Sequence, residues 1–279
     1  MSSSFYSPDG VLQEYIMKAD GSEPRRVTMA DAKKHGWWSR VSTIAGIVKA
    51  DDFLTTWKIN QYLDSAAGTS KLLARNHDLW KKEVRKIADD NMSIAPKLGT
   101  LVHATVEAYH KIKCQDGDLN DLNDTKPEAL PYLVAIHQFC EEHAIRALSP
   151  ADIEKRIVIP EARSAGTCDL IGSFEGTSPV LFDWKTQKVK GGKPYYYPSF
   201  PLQLAAYWAG NGGVGRICSV VIDTSGHAQY DVNSGRLPPI YYKMYDGVLT
   251  HYGHFLNLSK IYYYMHDWEE HKNGSSEGK

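Results

Sequence analysis

The sequence lacks the features that mark several common protein classes. Its four cysteines are scattered and form no CxxC pair, whereas zinc ribbons and disulfide frameworks need closer or more numerous cysteines. We therefore predict reduced, mostly buried thiols. The formal net charge is only -1, so the chain has no global basic field with which to coat nucleic acid non-specifically. An enzyme needs positive potential along one groove only, and this charge balance does not exclude it.

Two further absences concern location and energy supply. No apolar run approaches the roughly 18 residues that span a bilayer, and residues 1–10 lack the basic and apolar regions of a signal peptide. We therefore expect a cytoplasmic protein with no membrane partner. The P-loop pattern GxxxxGK followed by Ser or Thr is missing as well, so the chain encodes no ATP-driven motor.

Aromatic residues, in contrast, are plentiful. The chain has 17 tyrosines and seven tryptophans, some of them in runs such as 195–197 and 262–264. These side chains can stack on nucleic-acid bases, but they suit half-buried surfaces equally well. With 42% hydrophobic and 23% charged residues, the chain can bury a sizeable core in one large domain or two small ones.

Residues 1–94 are predicted to form a hairpin and helical region. Polar and apolar residues alternate over 5–28 around two turn signals, which predicts a small β-hairpin element. Thr28 is a candidate N-cap of a short helix that ends near Gly36. Apolar residues at helical spacing predict further helices over 42–65 (one or two), over 70–90, and from Pro96 onward.

Residues 95–272 are predicted to form a sheet core with C-terminal helices. Short segments rich in β-branched residues predict strands at 153–159, 166–174, 179–184, 216–223 and 227–232. Helices are predicted at 128–146, at 200–210 and from Pro238 to about residue 271, with Gly247 and Gly253 as candidate breaks in the last, followed by a disordered tail at 273–279. The chain is therefore expected to be a mixed α/β protein with a helical N-terminal part.

Asp183 and Lys185 form the sharpest candidate site. Residues at i and i+2 of a strand point to the same face, so the carboxylate and the ammonium would lie side by side. Asp169 lies near the start of the preceding predicted strand, and antiparallel pairing would bring the two carboxylates together. Such a pair favours Mg²⁺ or Mn²⁺. Taken alone, Asp183 and Lys185 could equally be a solvated strand end.

Four ordered motifs extend this pair. They are GTLVH at 99–103 on a predicted helix, GTCD at 166–169 and DWK at 183–185 on predicted strands, and QLAAY at 203–207 on the next helix. The series resembles the RecB-like branch of the PD-(D/E)XK nuclease superfamily, in which GxxxH, GxxD, DxK and QxxxY follow one another on these element types. Stand-alone phage and mitochondrial-genome-maintenance exonucleases are members of this kind. The resemblance implies a restriction-endonuclease-like core, a mixed central sheet flanked by helices.

The resemblance also implies metal ligands. Asp169 and Asp183 would bind one or two Mg²⁺ or Mn²⁺ ions, with His103 and the carbonyl of Trp184 as further ligands. Taken alone, His103 could be a packed helix histidine. Glu154, on the preceding strand, is a further candidate near the site, and a surface strand charge is its alternative.

Catalytic roles follow from the same resemblance. Lys185 would orient the attacking water, lower its pKa or stabilise the transition state, while Gln203 and Tyr207 would steady the site and contact phosphate. Taken alone, Gln203 and Tyr207 would be ordinary interface residues. Some relatives hold an iron–sulfur cluster, but no cysteine precedes Cys114 or follows Cys218, so no such cluster is expected.

Residues that would hold DNA are predicted in two places. Lys188, Lys190 and Lys193 offer charges for phosphates, and Tyr195 and Tyr196 offer rings for bases; an exposed flexible loop with partly buried tyrosines is the alternative. Ser42 and Thr43, at a predicted helix start, would seat a phosphate. The N-terminal region would then form a DNA-binding arch over the site.

Three functions fit these observations. The first is a metal-dependent DNA exonuclease that acts on single strands or duplex ends in DNA processing, recombination or repair, in the host cytoplasm if phage-encoded. It would work beside a recombination or replication partner protein. The others are a structure- or sequence-specific endonuclease of the same superfamily and a catalytically silent nucleic-acid-binding subunit.

Overall fold

A computed structural model describes residues 4–18, 21–48, 51–73, 76–117 and 126–266, without the side chains of 51–54 and 73. The predicted tail at 273–279 lies outside these residues. The helices are α1 (Met29–His35), α2 (Val41–Ala45), α3 (Asp51–Gly68), α4 (Ser70–Leu73), α5 (His77–Lys113), α6 (Leu130–Glu142), α7 (Ser199–Gly210) and α8 (Val248–Met265). The strands are β1 (Phe5–Tyr6), β2 (Leu12–Gln13), β3 (Tyr15–Ile16), β4 (Arg25–Arg26), β5 (Trp38–Arg40), β6 (Arg146–Ala147), β7 (Ile153–Ile159), β8 (Ser164–Phe174), β9 (Thr177–Gln187), β10 (Arg216–Asp223) and β11 (Ile240–Tyr245).

One mixed sheet organises the molecule. Its strands run in the order β11-β10-β9-β8-β5-β1-β2, and β6 and β7 pair with β8. β9 is antiparallel to β8 but parallel to β10, and α7 provides the crossover connection that a parallel pair requires. The fold is thus α/β, with a mixed central sheet flanked by helices.

Each face of the sheet carries its own hydrophobic core. On one face, α7 packs against β9 and α8 packs against α7, and Leu181, Leu204 and Phe255 are fully buried there. On the other face, α5 and α6 cover the same strand, and Phe182 and Trp184 are buried. This two-sided burial explains why residues 180–182 of β9 form a continuous apolar run rather than a polar–apolar alternation.

The structure confirms the predicted β-hairpin element and the short helix near the N-terminus. β1 pairs with β2 and β3 with β4, as antiparallel hairpins. α1 starts at Thr28, whose side chain forms a capping box with Asp31, and it ends at Gly36 with φ 66°, where glycine avoids the left-handed strain of other residues. β1 also pairs with β5, and β5 with β8, so this region contributes strands to the central sheet.

The prediction that Pro96 opens a helix is wrong. Pro96 lies inside α5, which runs unbroken from His77 to Lys113, across residue 95. Proline removes one backbone donor from a helix interior. However, the residues before it contain no glycine or C-cap signal, and the exposed position of Pro96 leaves room for its ring.

The predicted strand at 227–232 is also wrong. Residues 227–229 form a 3₁₀ turn, and the strand that follows β10 is β11, in a segment where we expected helix. Its isoleucine and three tyrosines are residue types that strands favour. The helix begins only after Gly247, whose φ of 66° separates the two elements.

α3 and residues 77–94 of α5 pack against each other and form what we call the helical hairpin. Ser65 and Ala88 are the only buried side chains among its described residues. Ile59 and Ile94 are 52% and 59% exposed. The hairpin therefore has little core of its own.

Candidate functional site

The two candidate carboxylates lie on neighbouring strands. Leu170 of β8 pairs with Phe182 of β9, and one residue further along both strands stand Asp169 and Asp183. The backbone N–H of Trp184 donates to Oδ2 of Asp169 at 2.7 Å. Antiparallel pairing therefore brings the GxxD and DxK motifs together, as the sequence predicts, although both aspartates lie in strand interiors rather than near strand ends.

Asp183 is held by two donors and keeps one oxygen free. Lys185 Nζ and Gln203 Nε2 donate to its Oδ1 at 2.8 and 2.9 Å. Its Oδ2 has no hydrogen-bond partner within the described part of the chain, and the residue is 1% exposed. A buried carboxylate oxygen without a partner is costly. The free oxygen is therefore suited to bind a cation.

Charge balance at the site also favours a cation. Burial and the neighbouring Asp183 carboxylate raise the pKa of Asp169 well above its usual range. Burial alone would lower the pKa of Lys185, but Asp183 and Asp169 outweigh it and raise the pKa. Lys185 is therefore an ammonium at neutral pH, shared by two carboxylates. A divalent ion would relieve the repulsion between them.

His103 approaches the carboxylates from α5. Its Nδ1 is 3.8 Å from Oδ2 of Asp169. Burial, followed by the Lys185 charge, lowers the pKa of His103, which leaves a neutral imidazole able to ligate a metal. One turn earlier, a Cβ on Gly99 would stand 3.2 Å from Oγ1 of Thr186, so the motif glycine lets α5 pack close to β9.

Tyr207 lies under the GxxD strand. A Cβ on Gly166 would stand 2.6 Å from the Tyr207 hydroxyl oxygen, so the second motif glycine leaves space for this ring. Gln203 and Tyr207 are one turn apart on α7, and Tyr207 is 3% exposed. The QxxxY helix thus supports Asp183 through one residue and packs on β8 through the other.

Glu154 extends the acidic site. Ile153 pairs with Leu170 and Lys155 with Cys168, so Glu154 stands between these pairs, beside Asp169. Its φ is 51°, which is uncommon for a residue other than glycine. Burial, then the nearby Glu107 carboxylate, raise its pKa to about 7.

The side chains at the site have the donor atoms that a hard divalent cation prefers. They are not yet arranged as a complete set of ligands. Among the described ranges, no three His, Cys, Asp or Glu side chains are already arranged to hold a metal ion. Carboxylate oxygens and a neutral imidazole are nevertheless donors that Mg²⁺ and Mn²⁺ accept, and Asp183 Oδ2 is free. The Trp184 indole is buried in the second core, so only the backbone of this residue belongs to the site.

The lysine- and tyrosine-containing segment at 188–197 begins where β9 ends. Lys190 and Lys193 bridge across a tight turn, with Gly191 and Gly192 at φ 59° and 68°. The three lysines of the segment, Lys188 included, are exposed. It is therefore an ordered, cationic turn next to the site.

Ser42 and Thr43 lie in the short helix α2 and are exposed. The parallel pairing of Arg40 with Ala165 places the start of this helix beside the strand position just before Gly166. The start of α2 is thus adjacent to the GxxD strand.

Sequence reasoning missed Gln187, which continues the alternation of Asp183 and Lys185 along β9. Its side chain donates to the carbonyl of Tyr195 at 3.0 Å and accepts from the Tyr195 N–H at 2.7 Å. The i, i+2, i+4 spacing was the available signal. The tether to Tyr195 has no signature in the sequence.

Comparisons with known proteins leave the function to be argued from this geometry. No family model matches the chain, and no curated protein sequence matches it. None of the helices in the described ranges is long and apolar enough to cross a membrane.

Proposed function

We propose that the chain is a metal-dependent DNA exonuclease of the PD-(D/E)XK superfamily, RecB-like branch, with a restriction-endonuclease-like core formed by α5, β8, β9 and α7. The observation that carries this proposal is the convergence of four separate segments on the Asp169–Asp183 pair. In chain order, α5 supplies His103, β8 supplies Asp169, β9 supplies Asp183 and Lys185, and α7 supplies Gln203 and Tyr207, which is the order of the family motifs. A surface charge pair would not explain a buried carboxylate with a free oxygen.

Asp169 and Asp183 are the proposed ligands of Mg²⁺ or Mn²⁺, with His103 and the Trp184 carbonyl completing the set. When bound, such an ion supplies Lewis-acid polarisation of a phosphoryl oxygen. Gln203 holds Asp183 in position through its hydrogen bond to Oδ1. The Trp184 N–H does the same for Asp169.

Lys185 acts as an electrostatic donor. Its side chain is 25% exposed, so the ammonium can contact a phosphate at the site while it remains bonded to Asp183. A preorganised positive charge stabilises the negative charge that develops on a phosphate under attack. Because the ammonium is protonated at neutral pH, Lys185 does not serve as the general base.

DNA would reach the site over the cationic turn. Lys188, Lys190 and Lys193 are exposed, and none forms an ion pair among the described residues, so their charges are available to phosphates. Ser42 and Thr43 would contact phosphate from the other side. The helical hairpin is the proposed arch over the bound DNA strand.

Digestion of end-labelled linear DNA with Mn²⁺ or Mg²⁺ tests the proposal, with single-stranded, duplex and circular substrates side by side. Metal-dependent shortening should fall at least about 100-fold in Lys185→Ala, as when one transition-state donor is removed. It should persist in Lys260→Ala, a matched exposed lysine on α8. Resistance of circular DNA supports the exonuclease, and its cleavage favours an endonuclease. Absence of cleavage with every metal would contradict the proposal.

A further inference from the structure

The segment 188–197 has two sides that contact different parts of the molecule. Gln187 fixes the backbone of Tyr195 through both amide atoms. Asp223, 6% exposed, accepts from the backbone N–H of Val189 at 3.1 Å. The segment is thus pinned near both ends, and its side chains are held in defined places.

On the inner side, a line of aromatic rings runs outward from Lys185. The Lys185 Nζ lies 5.6 Å from the centre of the Phe200 ring. Tyr197 packs edge-on against Phe200 at 5.4 Å, and Tyr195 against Tyr197 at 4.6 Å. Tyr195 is 59% exposed. The line therefore connects the candidate site to a solvent-facing ring.

On the outer side, an open hollow of about 370 Å³ lies between this segment, the end of α6 and the edge strand β11. Its volume falls in the range of small-molecule sites, about 300–1,000 Å³. The side chains that define it are mostly aromatic: Phe139, His143, Tyr196, Tyr241 and Tyr242, with the carboxylate of Glu142.

The Tyr242 ring is a firm, accessible wall of this hollow. It is 39% exposed, yet it packs against His143 and Phe174, each with ring centres 5.0 Å away. Tyr196 also lines the hollow, and the Lys243 ammonium lies 5.6 Å from the centre of its ring. Rings that are fixed but open are suited to stacking on a flat heterocycle.

Four exposed lysines on the chain segments beside the hollow offer charges for phosphates, while Glu142 is the acidic residue that lines the hollow itself. Lys188, Lys190, Lys193 and Lys243 all lie on this segment or on β11, are exposed, and have no carboxylate within ion-pair distance in the described part of the protein. Lysines beside stacking rings are the combination that grips single strands. Glu142 is placed to accept from an exocyclic amino group of a base.

We propose that this outer hollow is a base-binding site for single-stranded DNA, in which one base stacks on Tyr242 while the backbone crosses the lysine turn toward Tyr195 and Lys185. A duplex keeps its bases stacked inside and cannot offer a ring to the hollow, so the site selects single strands. The inference rests on the proposed nuclease function for the direction in which the strand leads. The binding itself does not require cleavage.

The test is anisotropy of a labelled single-stranded oligonucleotide in EDTA, where no metal-dependent cleavage occurs, with cleavage measured separately in Mn²⁺. Tyr242→Leu keeps an apolar side chain but removes the ring and should weaken binding about 5- to 150-fold, the range for loss of one stacked base. Tyr242→Phe keeps the ring and should bind as the parent does. Tyr264→Leu, at an 85% exposed tyrosine of α8, is the matched control.

The outcomes separate the two proposals. Weaker oligonucleotide binding by Tyr242→Leu, but not by Tyr242→Phe or Tyr264→Leu, supports the base site. If the same protein cuts no DNA with any metal, the nuclease function is wrong and the base site still stands. Equal affinity of parent and Tyr242→Leu overturns the base site even if the protein degrades DNA. Failure of the parent to bind single strands, or a preference for duplex, overturns it as well.

Discussion

The two halves of α5 belong to different kinds of structure. Residues 98–113 pack on the sheet, bury Val102, Val106 and Tyr109, and carry His103 to the carboxylates. Residues 77–94 pack mainly on α3, and Ala88 is their one buried side chain among those described. One continuous helix thus links a close-packed site to a sparsely packed arm. Substitutions should therefore have large effects at one end and small effects at the other.

We expect the largest difference in activity between a carboxylate of the site and a carboxylate of residues 77–94. Asp169→Asn should lower the proposed metal-dependent cleavage at least about 100-fold, because it removes a charge that the ion needs. It should not lower the unfolding temperature in EDTA, since it also removes repulsion between two buried carboxylates. Asp90→Asn, at an exposed position of the arm, should leave both measurements unchanged. A strongly destabilised Asp169→Asn protein would contradict the charge balance derived for the site.

Two glycine substitutions test the same difference in packing through their effects on stability. Gly166→Ala should destabilise the fold by about 1–3 kcal/mol, as overpacking does, because its Cβ would stand 2.6 Å from the Tyr207 hydroxyl oxygen. Gly68→Ala, with no atom within 4 Å of its Cβ, should change stability by zero to about +1 kcal/mol through helix propensity. Chemical denaturation measures both.

A double variant checks the cause of the Gly166 effect. Gly166→Ala combined with Tyr207→Phe should recover part of the lost stability, since the closest atom is gone, but not all, because ring carbons remain at 2.9 and 3.2 Å. Strict additivity of the two changes would show that the Tyr207 contact is not responsible.

Local sequence patterns predict the central strands of the sheet and the site residues that lie on them. β7 has the predicted bounds, and the pairing of β8 with β9 follows from two apolar runs joined by a short turn. The site residues on these strands follow from period-two alternation, a local rule. The placement of His103 and Gln203 at the site could be predicted only from the family resemblance, because the local sequence does not indicate which strand a helix will pack against.

Other features depend on competition between elements. Residues 240–245 can form helix or strand by composition, and pairing with β10 decides for strand. Pro96 lowers helix propensity, but contacts on either side of it keep α5 continuous. The tether between Gln187 and Tyr195 joins a strand to a loop, and only the folded backbone brings them together.

Apolar residues within α5 give a smaller effect. Val102→Ala, at a 1% exposed position, should cost about 2 kcal/mol, since two methyl groups leave a packed core. Ile94→Ala, at a 59% exposed position of the same helix, should change stability by less than about 0.5 kcal/mol. Equal losses in urea denaturation would mean that the arm is packed as tightly as the site.

The last effect is absent at neutral pH, concerns acid stability, and again compares two positions of α5. His110 is 2% exposed, and burial lowers its pKa to about 3, whereas an unfolded histidine titrates near pH 6.5. Between these values the unfolded chain binds a proton that the folded chain does not, so stability falls as pH drops below about 6.5, by up to about 1.4 kcal/mol per pH unit. His110→Phe should therefore flatten the decline in unfolding free energy from pH 7 to pH 5, and His77→Phe, at an exposed residue of the arm, should not. If both variants kept the parent slope, the acid sensitivity would have to come from groups outside the core behind Trp184, where His110 packs with ring centres 6.0 Å apart.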